Sequence, residues 1–153
     1  MALSLVSPAF AHNGLIPSRH TCDGAGLSPP LVFSGVPAQA ASLVLVCDDP
    51  DAASGVWDHF LIFNLSPATP GLPEGLPAMD TYPDGSVSGK NSWGSTGYGS
   101  PCPPSGTHRY VFTLYALDAM LPLPPGAGKG DILRAAKGHI LASATLIGRY
   151  GRR

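Results

Sequence analysis

The sequence predicts a mainly β fold with an α-helix at its C-terminal end. Three observations carry that expectation. Residues 42–47 are apolar throughout, as in a strand buried on both faces. Residues 57–65 and 108–117 read as further strands, with polar residues at their entrances. Nineteen Gly and seventeen Pro lie scattered between the apolar runs, marking many turns and short strands.

In chain order, the mildly apolar stretch 2–10 reads as the first strand. It lacks a basic n-region, and Ser4, Ser7 and Pro8 interrupt it, so it is not read as a signal peptide. A turn-rich loop, 21–30, leads to a short strand at Leu31, Val32 and Phe33. The central run 42–47 delivers Asp48, Asp49 and Asp51 to its end. Strand alternation over 57–65 points His59 to the same side as Trp57 and Leu61. Residues 66–107 form a long Gly-, Pro-, Asp- and Ser-rich stretch, with one short strand expected near Ser86 and Val87. In 108–117 one parity carries His108, Tyr110, Phe112, Leu114 and Ala116, so His108 and Tyr110 share a face. Finally, Asp131 reads as an N-cap, with Ile132, Ala136, Ile140, Ala144 and Ile147 at helical spacing and Gly148 as the stop. That predicts a closing helix of about four turns. No internal repeat or boundary divides residues 1–153, which are read as one domain.

Composition narrows the function. Charged residues make up 12% of the chain, against about a quarter in a typical domain. With a net charge of −1 there is no electrostatic case for nucleic acid or an anionic membrane. No stretch approaches the roughly 20 apolar residues of a membrane span. Three cysteines are too few for a disulfide framework, which makes cytoplasm the default location. Cys47 ends an apolar strand and reads as a buried thiol. Cys22 and Cys102 lie in Gly/Pro-rich loops and could meet; spacing alone leaves their pairing open.

Several motifs fail. The segment Gly85-Ser86-Val87-Ser88-Gly89-Lys90-Asn91 is one residue short of a phosphate loop, and Asn91 stands where a metal-binding Ser or Thr belongs. No Gly-x-Ser-x-Gly elbow occurs. A zinc site on His59, His108 and one of Asp48, Asp49 or Asp51 lacks any local ligand pair to strengthen it. Cys102 as a nucleophile with His108 as base shows no sign of a lowered thiol pKa. Trp93, taken alone, reads as a structural aromatic.

An ordered series of segments is more specific. Asp49-Pro50-Asp51-Ala52, Trp57-Asp58-His59-Phe60, and Gly97-Tyr98-Gly99-Ser100-Pro101-Cys102-Pro103-Pro104-Ser105-Gly106-Thr107-His108-Arg109-Tyr110 resemble the signatures of the phosphatidylethanolamine-binding protein family. Thr21-Cys22-Asp23-Gly24 and Ser28-Pro29-Pro30-Leu31 resemble elements of its prokaryotic, Raf-kinase-inhibitor-like branch. The resemblance covers essentially the whole chain. It implies a β-sandwich-like fold on a large antiparallel sheet, closed by a helix ending in Ile147-Gly148-Arg149-Tyr150-Gly151-Arg152. It also implies a small anion pocket for phosphate-like groups, with ligand-binding positions at Asp49, Asp51, Trp57, His59, Pro103, Pro104, His108 and Tyr110. Asp51 falls beside the pocket, as a brace. Two departures are visible: Ala53 stands where many relatives have proline, and His20 where they commonly carry an aromatic.

Residue chemistry points the same way. His59, His108 and the Tyr110 hydroxyl can donate to an anion, and backbone N–H groups of the Gly-rich stretch 97–102 can join them. A carboxylate at Asp49 would favour protonated histidines and could accept an amine. The expected function is therefore a non-enzymatic binding protein for a small phosphorylated or anionic ligand, with neither cofactor nor metal. Through the resemblance, a kinase or protease is an expected partner, and the expected assembly leans to a homodimer. The competing expectation is a hydrolase or lyase using His59, His108 and Asp49 on a small phosphorylated substrate.

Overall fold

The computed structural model describes residues 2–152. Among the described residues, nine strands and one α-helix follow in order: β1 (Ser4–Val6), β2 (Gly14–Leu15), β3 (Leu31–Ser34), β4 (Ser42–Asp49), β5 (Trp57–Leu65), β6 (Gly71–Leu72), β7 (Val87–Ser88), β8 (Thr107–Leu117), α1 (Lys129–Ala136) and β9 (Ile140–Gly151). The fold is mainly β, as the sequence predicts, with a helix in its C-terminal part. A six-stranded sheet runs β2-β9-β8-β4-β5-β7, and a three-stranded sheet runs β1-β3-β6. Only the β2–β9 contact in the large sheet is parallel. β4, the uninterrupted apolar run, lies between β8 and β5, where both of its faces are covered.

Covering two faces requires two cores. On one side Leu5, Leu31, Phe33 and Leu72 of the small sheet pack with Leu43, Leu45, Phe112, Leu114 and Leu146 of the large one. On the other, Val44, Val46, Leu61, Phe63 and Leu117 pack with Ile132 and Ala136 of α1. Strand alternation sorts β4 between them: odd positions enter the first core, even positions the second.

The C-terminal region corrects the sequence reading. The long helix expected from Asp131 through Ile147 stops at Ala136, and residues 140–151 form the longest strand in the fold. Gly138 adopts φ +85°, which breaks the helical path and turns the chain. The expected N-cap is also displaced: Gly128 holds that position, and Asp131 sits in the first turn, accepting from Arg134 Nη1 at 2.7 Å. The segment expected as the end of a closing helix, 147–152, runs instead as strand through Gly151. The physical reason is tertiary. β8 presents eleven residues with one edge unpaired by β4, and β9 satisfies that edge from Leu117 back to Thr107. Ala144 and Ile147 fit a helical stripe, but Ala142, Ala144, Leu146 and Gly148 also fit a two-residue period.

Gly148, read as a helix stop, serves as a close-packing point. A Cβ there would lie 2.5 Å from Ile16 Cγ1 and 2.7 Å from Phe10 Cε2. Gly148→Val is therefore expected to cost about 2 kcal/mol or more by overpacking. Urea unfolding measures it; a midpoint equal to wild type would mean the N-terminal segment gives way freely.

Candidate functional site

Three strand ends build the site: the end of β4, the start of β5 and the start of β8. β4 and β5 pair Asp49 with Trp57 and Asp48 with Asp58, but Cys47 pairs with Phe60. His59 is thus the extra residue of a β-bulge. The bulge reverses alternation, so Trp57 and His59 face the cavity while Leu61 turns to the α1 side. The sequence expectation placed His59 with both Trp57 and Leu61; it holds for Trp57 and fails for Leu61. A bulge next to a site is a common device for aiming one side chain out of a regular ladder.

The same alternation separates the three carboxylates. Asp49 enters the cavity, while Asp48 and Asp58 lie across the sheet against Lys129. Lys129 Nζ is 3.0 Å from Asp48 Oδ2 and 2.7 Å from Asp58 Oδ1. Burial pulls this ammonium's pKa down, but the two carboxylates outweigh it and hold it above its ordinary value. The cluster pins α1 to the back of the site.

Asp49 is 4% exposed, and its partners explain how a carboxylate survives there. Its Oδ1 accepts the Asp51 N–H at 2.8 Å, and its Oδ2 lies 2.7 Å from His108 Nδ1. A carboxylate oxygen accepts, so Nδ1 carries the proton and His108 Nε2 is left over. His59 repeats the arrangement with a different acceptor: its Nδ1 donates to Gly99 O at 2.6 Å, while Gly99 N–H returns to His59 O at 2.8 Å. The backbone of 97–102 therefore contributes an acceptor to His59, and the Gly99 N–H expected as an anion donor is already used. Each imidazole has Nε2 as the atom it can offer a ligand.

The aromatic frame is closely set. The His59 ring lies 5.2 Å from Tyr110 and 5.0 Å from Trp93, edge to face in both cases, and Trp57 lies 5.5 Å from Trp93. The His108 ring lies 6.5 Å from Tyr110, nearly parallel. Both histidines, far apart in sequence, thus flank one tyrosine. Burial lowers the pKa of His59, against the smaller opposing pull of Gly99 and the nearby carboxylates. The Asp49 charge expected to favour its protonated form therefore loses to desolvation. Burial, reinforced by Asp49, raises the Tyr110 pKa, so its hydroxyl stays neutral.

These groups open into a cavity of about 300 Å³ lined by Asp49, Trp57, His59, Trp93, Pro103, Pro104, His108 and Tyr110, with Cys102 and Ala52 to Ser54 at its edge. Of the expected ligand positions, only Asp51 is absent from the lining. It holds the rim instead, accepting from Arg109 N at 2.9 Å, Nε at 3.0 Å and Nη2 at 2.8 Å. Those bonds keep its pKa low, at about 2. Trp93, which the sequence marks only as a structural aromatic, joins the lining: it is half exposed yet seated over Gly99, where a Cβ would collide with its ring at 2.0 Å. Its one visible sign was the Gly-rich stretch that follows it. Cys102 is bonded to Cys22, which removes the nucleophilic thiol considered from sequence. Cys47 is the free cysteine, and burial pushes its thiol pKa well up. Among the described residues, no group of three or more His, Cys, Asp or Glu gathers as a metal site, and no helix is long and apolar enough to cross a membrane.

Comparison with known proteins places this architecture. The family model described as phosphatidylethanolamine-binding protein matches residues 6–151. A UPF0098 protein of Methanothermobacter thermautotrophicus is 56% identical over 98% of this chain and 99% of its own length. One from Chlamydia trachomatis is 43% identical over 97% of this chain and 98% of its own. Among solved structures, a putative phosphatidylethanolamine-binding protein homolog of Chlamydia trachomatis superposes with a TM-score of 0.92 at 43% identity, covering 99% of each chain. Escherichia coli YbcL, described as a new member of the mammalian family, superposes with a TM-score of 0.91 at 25% identity over the full length of both. On this evidence the chain belongs to the phosphatidylethanolamine-binding protein family.

Proposed function

We propose that this protein is a non-enzymatic binding protein whose cavity takes a phosphate-ester group on His59, His108 and Tyr110. The observation that carries the reading is the commitment of both Nδ1 protons to fixed acceptors, Asp49 and Gly99. Each ring is held in one orientation, with Nε2 as the atom left to meet an anion. A cavity of about 300 Å³ suits a phosphate with a small head group such as phosphoethanolamine, whose amine Asp49 can accept. Asp51 acts through Arg109, holding the β8 entrance that presents His108. Restraint of a kinase or protease is a reading supported by family alone.

The pH dependence follows from His59. Its pKa lies below the ordinary 6.5, and an anion binds best when Nε2 is protonated. Affinity is expected to rise as pH falls toward that lowered pKa, and to drop by up to about tenfold per pH unit above it. Folding stability runs the other way: the unfolded chain takes up the His59 proton first, so stability is retained above 6.5 and declines as pH falls through the folded pKa. Calorimetric titration with glycerophosphoethanolamine, whose phosphodiester charge is constant between about pH 5 and about pH 8, tests the binding sign. Flat affinity, with His59→Ala also unchanged, rules the pocket out.

A second reading rests on the Asp49–His108 contact of 2.7 Å, which would make Nε2 a general base in a hydrolase or lyase. Turnover of a phosphoester panel that is lost in His108→Ala would favour it over the binder.

A further inference from the structure

The Cys22–Cys102 bond adjoins the cavity through Cys102, one of its lining residues. It joins residues 80 apart in sequence, with Cα atoms 5.4 Å apart. Cys102 itself borders the cavity, and the next two residues, Pro103 and Pro104, form its wall. Both half-cystines are exposed, so a reductant reaches the bond without unfolding the chain. Cys47, by contrast, is sealed in the core at 2% exposure.

The segment from Tyr98 to Gly106 that carries this wall lies outside every strand. Three links tie it to the turn at 20–22: the Tyr98 hydroxyl donates to His20 O at 2.8 Å, Cys22 N–H donates to Pro101 O at 3.0 Å, and the disulfide closes the set. The disulfide is the link nearest Pro103 and Pro104, and the only covalent one. Gly99, farther back, is held by its bond pair with His59.

We propose that Cys22–Cys102 is a thiol–disulfide exchange site that sets how firmly the cavity holds its ligand. The chemical class of its reactant is a dithiol. One dithiol thiolate attacks an exposed sulfur and releases the other cysteine as a thiolate; the second dithiol sulfur then resolves the mixed disulfide. Two electrons and two protons end on Cys22 and Cys102 as thiols, and the reductant leaves as a disulfide. Exposure gives an attacking thiolate access to the bond in the folded chain, which exchange requires. With the bond open, Pro103 and Pro104 lose their covalent anchor, and a ligand must order that wall as it binds. In a reducing compartment the site is open; in an oxidising one it is clamped.

The test compares oxidised protein, dithiol-reduced protein and the double variant Cys22→Ser with Cys102→Ser. The ligand readout rests on the phosphate-binding proposal, so a second readout is independent of it. The chain has two tryptophans, Trp57 and Trp93, and both line the cavity, so acrylamide quenching reports on its walls directly. Thiol titration and circular dichroism establish reduction and retained fold. Reduction and the double variant are each expected to steepen quenching and to weaken inorganic phosphate binding about fivefold. Three results overturn the proposal: a bond that a dithiol leaves intact under native conditions, a reduced chain that unfolds, or a folded reduced chain with unchanged quenching and phosphate affinity. If quenching responds to reduction but no form binds phosphate, the exchange site stands and the phosphate pocket falls.

Discussion

His108→Ala is expected to weaken phosphate-ester binding by about a hundredfold. Two losses combine. A hydrogen bond to a charged group contributes about 1.5–3 kcal/mol, which alone corresponds to roughly 10- to 150-fold. Removing the imidazole also leaves Asp49 Oδ2 without its 2.7 Å partner, so an uncompensated carboxylate faces the arriving anion. His108→Gln, which keeps a donor near the same place, should recover part of the affinity. Asp49→Asn deletes the charge but keeps one acceptor of two, so its NH2 must face either the Asp51 N–H or His108 Nδ1; the affinity–pH profile should shift and the melting temperature should fall with it. Calorimetry beside thermal melts measures both. A folded His108→Ala protein with wild-type affinity at every pH would remove His108 from the ligand's contacts.

Deleting the disulfide should have the largest effect on stability. Cross-linking positions 80 residues apart removes much of the unfolded chain's loop-closure freedom, worth about 4 kcal/mol at room temperature. The Cys22→Ala, Cys102→Ala pair is therefore expected to lower the melting temperature by about 10 °C, since a domain of this size loses about 2–4 °C per kcal/mol. With a total stability of about 5–15 kcal/mol for a typical domain, the variant should remain folded at room temperature. Chemical denaturation in the absence of reductant gives the number. A change below about 1 kcal/mol would mean that the unfolded chain already holds those two loops together.

How much of this was legible beforehand varies residue by residue. The run in β4 announced itself because a strand covered on both faces needs no polar relief, and it lies between two partners. His108 and Tyr110 share a face because β8 pairs with β9 without interruption from Thr107 to Ala116, and simple alternation suffices there. His59 shows where alternation stops. The bulge opposite Cys47 and Asp48 depends on how two strands pair, which neither segment states alone. Trp93 was passed over for a similar reason: only its seat over Gly99, beside His59, makes it part of a wall. Residues 140–147 suit either period because an apolar residue falls at nearly every second position and Ala144 lies on both patterns; the vacant edge of β8 settles the choice.

By itself, then, the amino-acid order determined the chain's apolar strands, its neutral character and the residue types gathered near three strand ends. These are properties of short windows, where a local period or a charge count is enough. Tertiary structure decided which acid meets which imidazole, that Asp48 and Asp58 turn away to Lys129, and that Cys22 reaches Cys102. The reason is that such pairings join segments tens of residues apart, and their register is fixed only when two cores are packed against one sheet at once.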